Sequence, residues 1–445
     1  MASNEAKNID FIAPDTIAYL KWSTVYTYNL ISQDAGVFFG SGDIASFDWS
    51  EVQGQFTVVQ DGRLLLLNPD GGLVRNLSAE LPAIHPDPRF VQDCFWTGMQ
   101  ETDNLLEHVK WVQWHPQQPY LILGAIHSND LPHHLCGPKV WVVNIPLRTI
   151  SQLVASPDPY NYAPEPTWLN QELLLLDYYT GGGSRYYDIT QVQDGKTLWS
   201  FGTYANFPIA SPDGKRLANI SERDYELIIW DTISGYGIWH EKPSTEAYSN
   251  NTAWSTDGRY FALIHSESLI DRTSKQPPVF LLILDLETQQ KWQPDYQFPD
   301  FVFTAWSPHE NKALIFSRQK DGSRIFIADP MEKSLKLLNF IPQTDLFPIG
   351  WSSTGRYLIL TDYQKWQTIW LLDTQANNAI TPVYKLDIPN QMADFDNFVW
   401  SPNDTWLLFT QIAGPLLNTP GSDITLHALH VSTGNQQQIT RWEIN

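Results

Sequence analysis

The chain has 445 residues, 42% of them hydrophobic and 17% charged, a composition that buries a core and is unlike that of a disordered segment. Its 49 Asp+Glu against 28 Lys+Arg leave a formal net charge of −21, which excludes nucleic acid and anionic membrane surfaces as partners, because those need clustered Lys and Arg. Two cysteines, Cys94 and Cys136, are too few for a disulfide scaffold, and no apolar run approaches the ~18 residues of a transmembrane helix.

The N-terminus, Met1 to Asp10, lacks a basic segment followed by an apolar run. As written it predicts a cytoplasmic protein without membrane insertion; removal of a leader would instead place it in the periplasm or outside the cell. Thr16–Lys21, Thr24–Leu30 and Gly36–Phe39 follow as three strands, read as the second, third and fourth strands of a unit whose first strand is missing.

A phrase then recurs: an aromatic, Ser, a turn and a hydrophobic strand. It runs through Asp48-Trp49-Ser50, Gln113-Trp114-His115-Pro116, Thr167-Trp168-Leu169-Asn170 and Ile209-Ala210-Ser211-Pro212-Asp213-Gly214. It continues through Ala253-Trp254-Ser255-Thr256-Asp257-Gly258, Ala305-Trp306-Ser307-Pro308, Gly350-Trp351-Ser352-Ser353-Thr354-Gly355 and Val399-Trp400-Ser401-Pro402-Asn403-Asp404. Spacings of 65, 54, 42, 44, 52, 45 and 49 residues fit one four-stranded propeller blade per copy. In the fifth copy, Arg259–Ile264, Val279–Leu286 and Thr288–Trp292 supply the remaining strands. In the seventh, Tyr357–Leu360 and Thr368–Asp373 precede a tail ending near Val383. No segment has the apolar periodicity of a long helix.

Pro-Asp-Gly and Thr-Asp-Gly are turn sequences, in which Pro presets φ, Asp bonds its own backbone and Gly supplies positive φ. The Trp before each turn offers an apolar face to the neighbouring blade. Asp231, Asp285, Asp329 and Asp373 close third strands, where turn and strand-end hydrogen bonding explains them better than catalysis.

This pattern resembles the WD40-like (PD40) repeat of TolB and tricorn-type β-propellers, and that of the propeller domains of prolyl oligopeptidases. The match covers about residues 45 to 442. The Gly-His and Trp-Asp dipeptides of true WD40 repeats do not recur; Trp230-Asp231 occurs once. The expected fold is all-β, a propeller of four-stranded antiparallel blades, eight in number, with seven or nine as alternatives. Residues 45–445 would form the propeller and residues 1–44 would cap or complete the ring. Propellers of this kind commonly share one blade between their two termini, which removes open edges.

Long loops fall between Ser78 and Lys110, His127 and Pro138, Glu267 and Pro278, and Ala413 and Ser422. All belong to one predicted face, formed by turns between second and third strands and by connections between blades. Loops on a rigid scaffold commonly carry binding. His127, His133, His134 and Cys136 share one of these loops, with Cys94 and His108 in the preceding connection. They are metal-ligand types, yet their spacing matches no standard zinc site. A Cys94–Cys136 disulfide and ordinary loop chemistry remain open. Phe95 and Trp96 are candidate partner anchors or a small core beneath their loop.

No Gly-x-Ser-x-Gly elbow, Walker loop or dinucleotide fingerprint occurs, and Gly181-Gly182-Gly183 sits in a hairpin. The sequence therefore favours a non-catalytic, monomeric scaffold that binds a protein or peptide through its long-loop face, with no cofactor. One alternative is a metal-dependent carbohydrate-active enzyme, since the resemblance extends to polysaccharide lyases with His and Gln ligands at the channel mouth. The other is a sugar or small-ligand binding module.

Overall fold

The computed structural model describes residues 8–40, 42–85, 104–125, 139–153, 165–181, 184–204, 208–220, 226–242, 253–266, 279–299, 302–362, 368–385, 392–414 and 423–443. Nine four-stranded sheets account for them, spanning 9–39, 44–76, 109–152, 165–204, 209–241, 253–292, 302–342, 346–385 and 392–443. The protein is an all-β propeller, and nine blades lie within the expected seven to nine. Every blade consists of four consecutive strands in chain order, so none is shared between the termini.

The blade absent from the repeat count is the first. Its second and third strands, Thr16–Lys21 and Thr24–Asn29, fall where the sequence places them, and Ala35–Phe39 is the fourth. The first strand is Ile9–Ala13, paired Asp10 to Ala18 and Phe11 to Ile17. It lacks the Trp-Ser signature. What remains of the phrase is Ile12-Ala13-Pro14-Asp15, with the Pro-Asp turn intact and Ile12 and Ala13 where Trp and Ser stand elsewhere.

The chain groups into two compact units. Residues 1–203, 424–426 and 439–445 form one; residues 204–423 and 427–438 form the other. In each, apolar clusters lie between successive sheets. In the first, Val59, Leu64 and Leu66 of the second sheet pack with Val109, Trp114 and Trp141 of the third. In the second, Trp254 packs on Ala218, Ile220 and Ile229 of the preceding sheet. The repeated Trp does more than fill space. The Trp254 indole N–H donates to the Ile209 carbonyl at 2.9 Å and that of Trp306 to Ala253 at 2.9 Å, tying these two first strands to the ones before them.

The rest of the signature is a hydrogen-bonded turn. Ser211, Ser255, Ser352 and Ser401 accept through Oγ from the backbone N–H five residues on, at 3.0, 2.8, 3.0 and 2.9 Å. Ser211 and Ser255 also donate to the Asp two residues on, each at 2.7 Å, and that Asp accepts the second N–H beyond it. His115 replaces Ser in the third sheet and does the same work, Nδ1 accepting from the Gln117 and Gln118 amides at 2.9 and 3.0 Å. Burial pulls its pKa down, consistent with that acceptor role. The strand-ending aspartates also act structurally. Arg259 and Arg356 clamp Asp285 and Asp373 with paired bonds of 2.7–3.0 Å, and both carboxyls are held below the usual range.

In the ninth sheet Asp404 takes the turn position that Gly fills elsewhere, at φ +58°. Its carboxylate accepts from the preceding sheet: Ser352 Oγ at 2.6 Å, the Thr354 amide at 3.1 Å and Thr354 Oγ1. Asp404→Ala is expected to cost about 2–3 kcal/mol, because a charged acceptor is lost and the buried Ser352 hydroxyl loses its acceptor. Asp404→Gly should cost less, since it relieves the positive φ. Thermal melts of the two variants check the order.

Candidate functional site

The best-defined site lies in the first unit, on the predicted working face. Four backbone segments meet there: the turn Lys21–Thr24, residues 42–43, the turn Gln60–Arg63, and the end of the connection leading to Val109. Trp22 and Ser23 have φ of 51° and 56°, the pattern of a type I′ turn, which twists as the flanking strands do. Such turns favour Asn-Gly. A bulky aromatic at positive φ is strained.

That Trp22 is also 73% exposed. Its neighbours are fixed. Lys21 Nζ sits 4.3 Å from the indole centroid and donates to Thr440 Oγ1 at 2.8 Å. Ser23 Oγ donates to Asp43 Oδ1 at 2.6 Å, and the Asp43 amide donates to Asp61 Oδ1 at 2.9 Å. The Asp61 amide returns to the Asp43 carbonyl at 2.8 Å. Asp61 and Gly62 form a second positive-φ turn, at 48° and 77°. Gly62 is obligatory, since a Cβ there would sit 2.1 Å from the Glu107 carbonyl oxygen. The result is a rigid, polar, hydrogen-bonded ledge carrying one exposed indole.

The connection after the second sheet is anchored beside this ledge. Ser78 Oγ accepts from the Leu64 amide at 2.8 Å and donates to the Leu106 carbonyl at 2.5 Å. The Ile84 amide donates to Asn104 Oδ1 at 3.1 Å, and Leu105 donates to the Ile84 carbonyl at 2.8 Å. Residues 84 and 104 are thereby held together at the base of the segment between them. Phe95, Trp96 and Cys94 belong to that segment and lie outside the described residues. So do His127, His133, His134 and Cys136. His108 is exposed at the end of the connection. Among the described residues no group of three or more His, Cys, Asp or Glu could hold a metal ion.

Buried ionisable groups in the same unit have a different character. Asp48, half-buried on the first strand of the second sheet, accepts the Trp114 amide of the third through Oδ2 at 2.5 Å. Burial, opposed by that bond and reinforced by the charge of Asp10, pushes its pKa up to about 7. Asp10 accepts the Phe11 amide at 2.7 Å and is pushed up to about 6, chiefly by burial, with Glu51 adding to it. Paired carboxyls with raised pKa can mark acid–base sites. Here both are engaged in holding backbone. In the second unit, burial takes His427 down to about 4 between the rings of Tyr384 and Phe409, leaving a neutral core imidazole.

The sequence places Trp22 and Ser23 in the break between the strands Thr16–Lys21 and Thr24–Leu30 but does not single out Trp22 there. The signal that could have found it is the abrupt end of the buried run Ile17–Leu20 just before a Trp.

No protein-family profile matches this chain, and no curated protein matches it. Solved structures do. A eukaryotic initiation factor superposes with a TM-score of 0.53 at 11% identity, over 97% of this chain and 96% of that one. The tricorn protease gives 0.32 at 13% identity, over 97% of this chain and 44% of its own. TolB from Acinetobacter baumannii gives 0.36 at 14% identity, over 72% and 79%. At 11% identity the likeness to the initiation factor is one of fold alone, and the fold of this chain is the β-propeller.

Proposed function

We propose that the protein is a non-catalytic propeller that binds a protein or peptide partner on the ledge around Trp22. The observation that carries this reading is the exposed indole held at positive φ. A propeller gains no stability from an exposed aromatic in a strained turn, and strain of this kind persists where a function uses it. Trp is also the residue type most enriched at the energetic centres of interfaces. The flanking Lys21, Ser23, Asp43 and Asp61 supply a charged and hydrogen-bonding rim. Phe95 and Trp96 follow in sequence within the connection whose two ends are anchored beside it.

The double variant Trp22→Asn/Ser23→Gly installs the preferred type I′ sequence. It is expected to raise unfolding free energy by about 1 kcal/mol while removing partner binding. The test pairs denaturant unfolding with peptide and glycan arrays probed by wild type and variant. Peptides bound by wild type and lost in the variant support the reading. Glycans bound in their place would move the site to the sugar-binding alternative, and no change in either array would dismiss the ledge.

A further inference from the structure

Nine outer strands end the nine sheets, and the open edge of each can pair with another chain. Five of them have five residues or fewer: Ala35–Phe39, Leu73–Asn76, Thr149–Gln152, Gly237–Glu241 and Gln290–Trp292. Ala379–Lys385 is interrupted by Pro382, and Gln436–Glu443 begins with three Gln and carries Arg441. Thr197–Tyr204 satisfies its aromatics internally, Trp199 against Phe201 at 5.3 Å and Phe201 against Tyr187 at 5.1 Å. Short strands, proline and charge are the usual means of blunting an edge.

The seventh sheet has the longest outer strand of the nine, with charge only at Lys336 and proline only at its end. Ser334–Pro342 is nine residues long, reads Ser-Leu-Lys-Leu-Leu-Asn-Phe-Ile-Pro, and has no strand beyond it among the described residues. A register shift at Leu338 brings Leu337, opposite Phe326, and Phe340, opposite Arg324, to the same face. Leu337 is 57% exposed and Phe340 38%, with the Arg324 guanidinium 4.9 Å from the Phe340 centroid. The other face carries Lys336, whose bond to Glu332 at 3.7 Å joins two exposed side chains and is readily exchanged. Lys333 adds a second exposed cation at the start of the strand. Residues 302–342 hold six Lys and Arg against four Asp and Glu, in a chain whose net charge is −21.

We propose that this edge receives an extended segment of a partner protein as a fifth antiparallel strand, one that alternates apolar with acidic residues. Its apolar side chains cover Leu337 and Phe340, its carboxylates face Lys333 and Lys336, and its backbone pairs with the open edge. The basic local charge selects an acidic segment. The site is separate from the Trp22 ledge, so Trp22→Ala leaves it intact.

The probe is a labelled nine-residue peptide alternating Val and Glu, titrated by fluorescence anisotropy into the full-length protein. Binding is expected, at least tenfold weaker for Leu337→Glu and for the Lys333→Glu/Lys336→Glu pair. A Val/Lys peptide should bind at least tenfold more weakly, and a peptide with a central proline not at all. Amide exchange at 334–342 should slow on binding. The proposal is overturned if the Val/Glu peptide does not bind, or if Leu337→Glu leaves its affinity unchanged. It is equally overturned if the protein alone sediments as a dimer that Leu337→Glu dissolves, since a second copy would then cover the edge.

Discussion

Trp442→Ala is expected to lower unfolding free energy by about 3–5 kcal/mol, the range for removing a fully buried large aromatic. The indole is 1% exposed, packs edge-on against Tyr19 with centroids 6.4 Å apart, and donates its N–H to the Leu20 carbonyl at 3.3 Å. Two residues earlier Thr440 accepts from Lys21. These contacts lie within the first unit and join the first sheet to the last strand. With no blade shared between the termini, they take over the task that strand sharing performs in other propellers. The melting temperature of the variant reads the effect, with Trp22→Ala as the exposed control. A loss no larger than the control's would mean that the first sheet is held by its other neighbours.

The second large effect is on pH. Asp10 and Asp48 bind protons more tightly in the folded chain, near pH 6 and 7, than in an unfolded chain near pH 4. The native state therefore holds more protons across that window, and stability contributed by these groups is fullest below pH 4 and falls as pH rises towards 7. Each tenfold change in proton affinity corresponds to about 1.4 kcal/mol before screening, and since both groups are partly solvated a combined loss of about 2–4 kcal/mol is expected. Asp48→Asn keeps an acceptor for the Trp114 amide and cannot ionise. Its stability relative to wild type should rise by about 1–2 kcal/mol between pH 5 and pH 8. Urea unfolding at the two pH values decides; a wild type and variant that stay parallel would show that Asp48 titrates normally.

The fold was legible because its code is local. Ser211, Ser255, Ser352 and Ser401 each bond within five residues, so the signature survives in the linear sequence wherever the turn does. The third sheet shows how far it can drift, with the His115 imidazole in place of a hydroxyl. The first sheet shows where it fails: Ile9–Ala13 is followed by Pro14-Asp15 alone, and without Trp or Ser the strand has no marker. The site was less legible. Its partners, Ser23, Asp43, Asp61 and the carbonyl of Glu107 against Gly62, are ordinary turn and loop groups individually. They become a ledge only when two hairpins and a connection are brought side by side. The histidines drew attention by residue type, whereas exposure, which distinguishes Trp22 from the other described tryptophans, is a property of the folded chain.

The order of strands has a consequence for biosynthesis. Because each sheet is made of consecutive strands, a blade can pair its backbone as soon as its own stretch leaves the ribosome. The contact between Leu20 and Trp442 cannot, since 422 residues separate its partners. At about 5–20 residues per second that is a delay of roughly 20–80 s. For that time the nascent first sheet lacks the indole that covers Tyr19 and accepts no bond at the Leu20 carbonyl from Trp442.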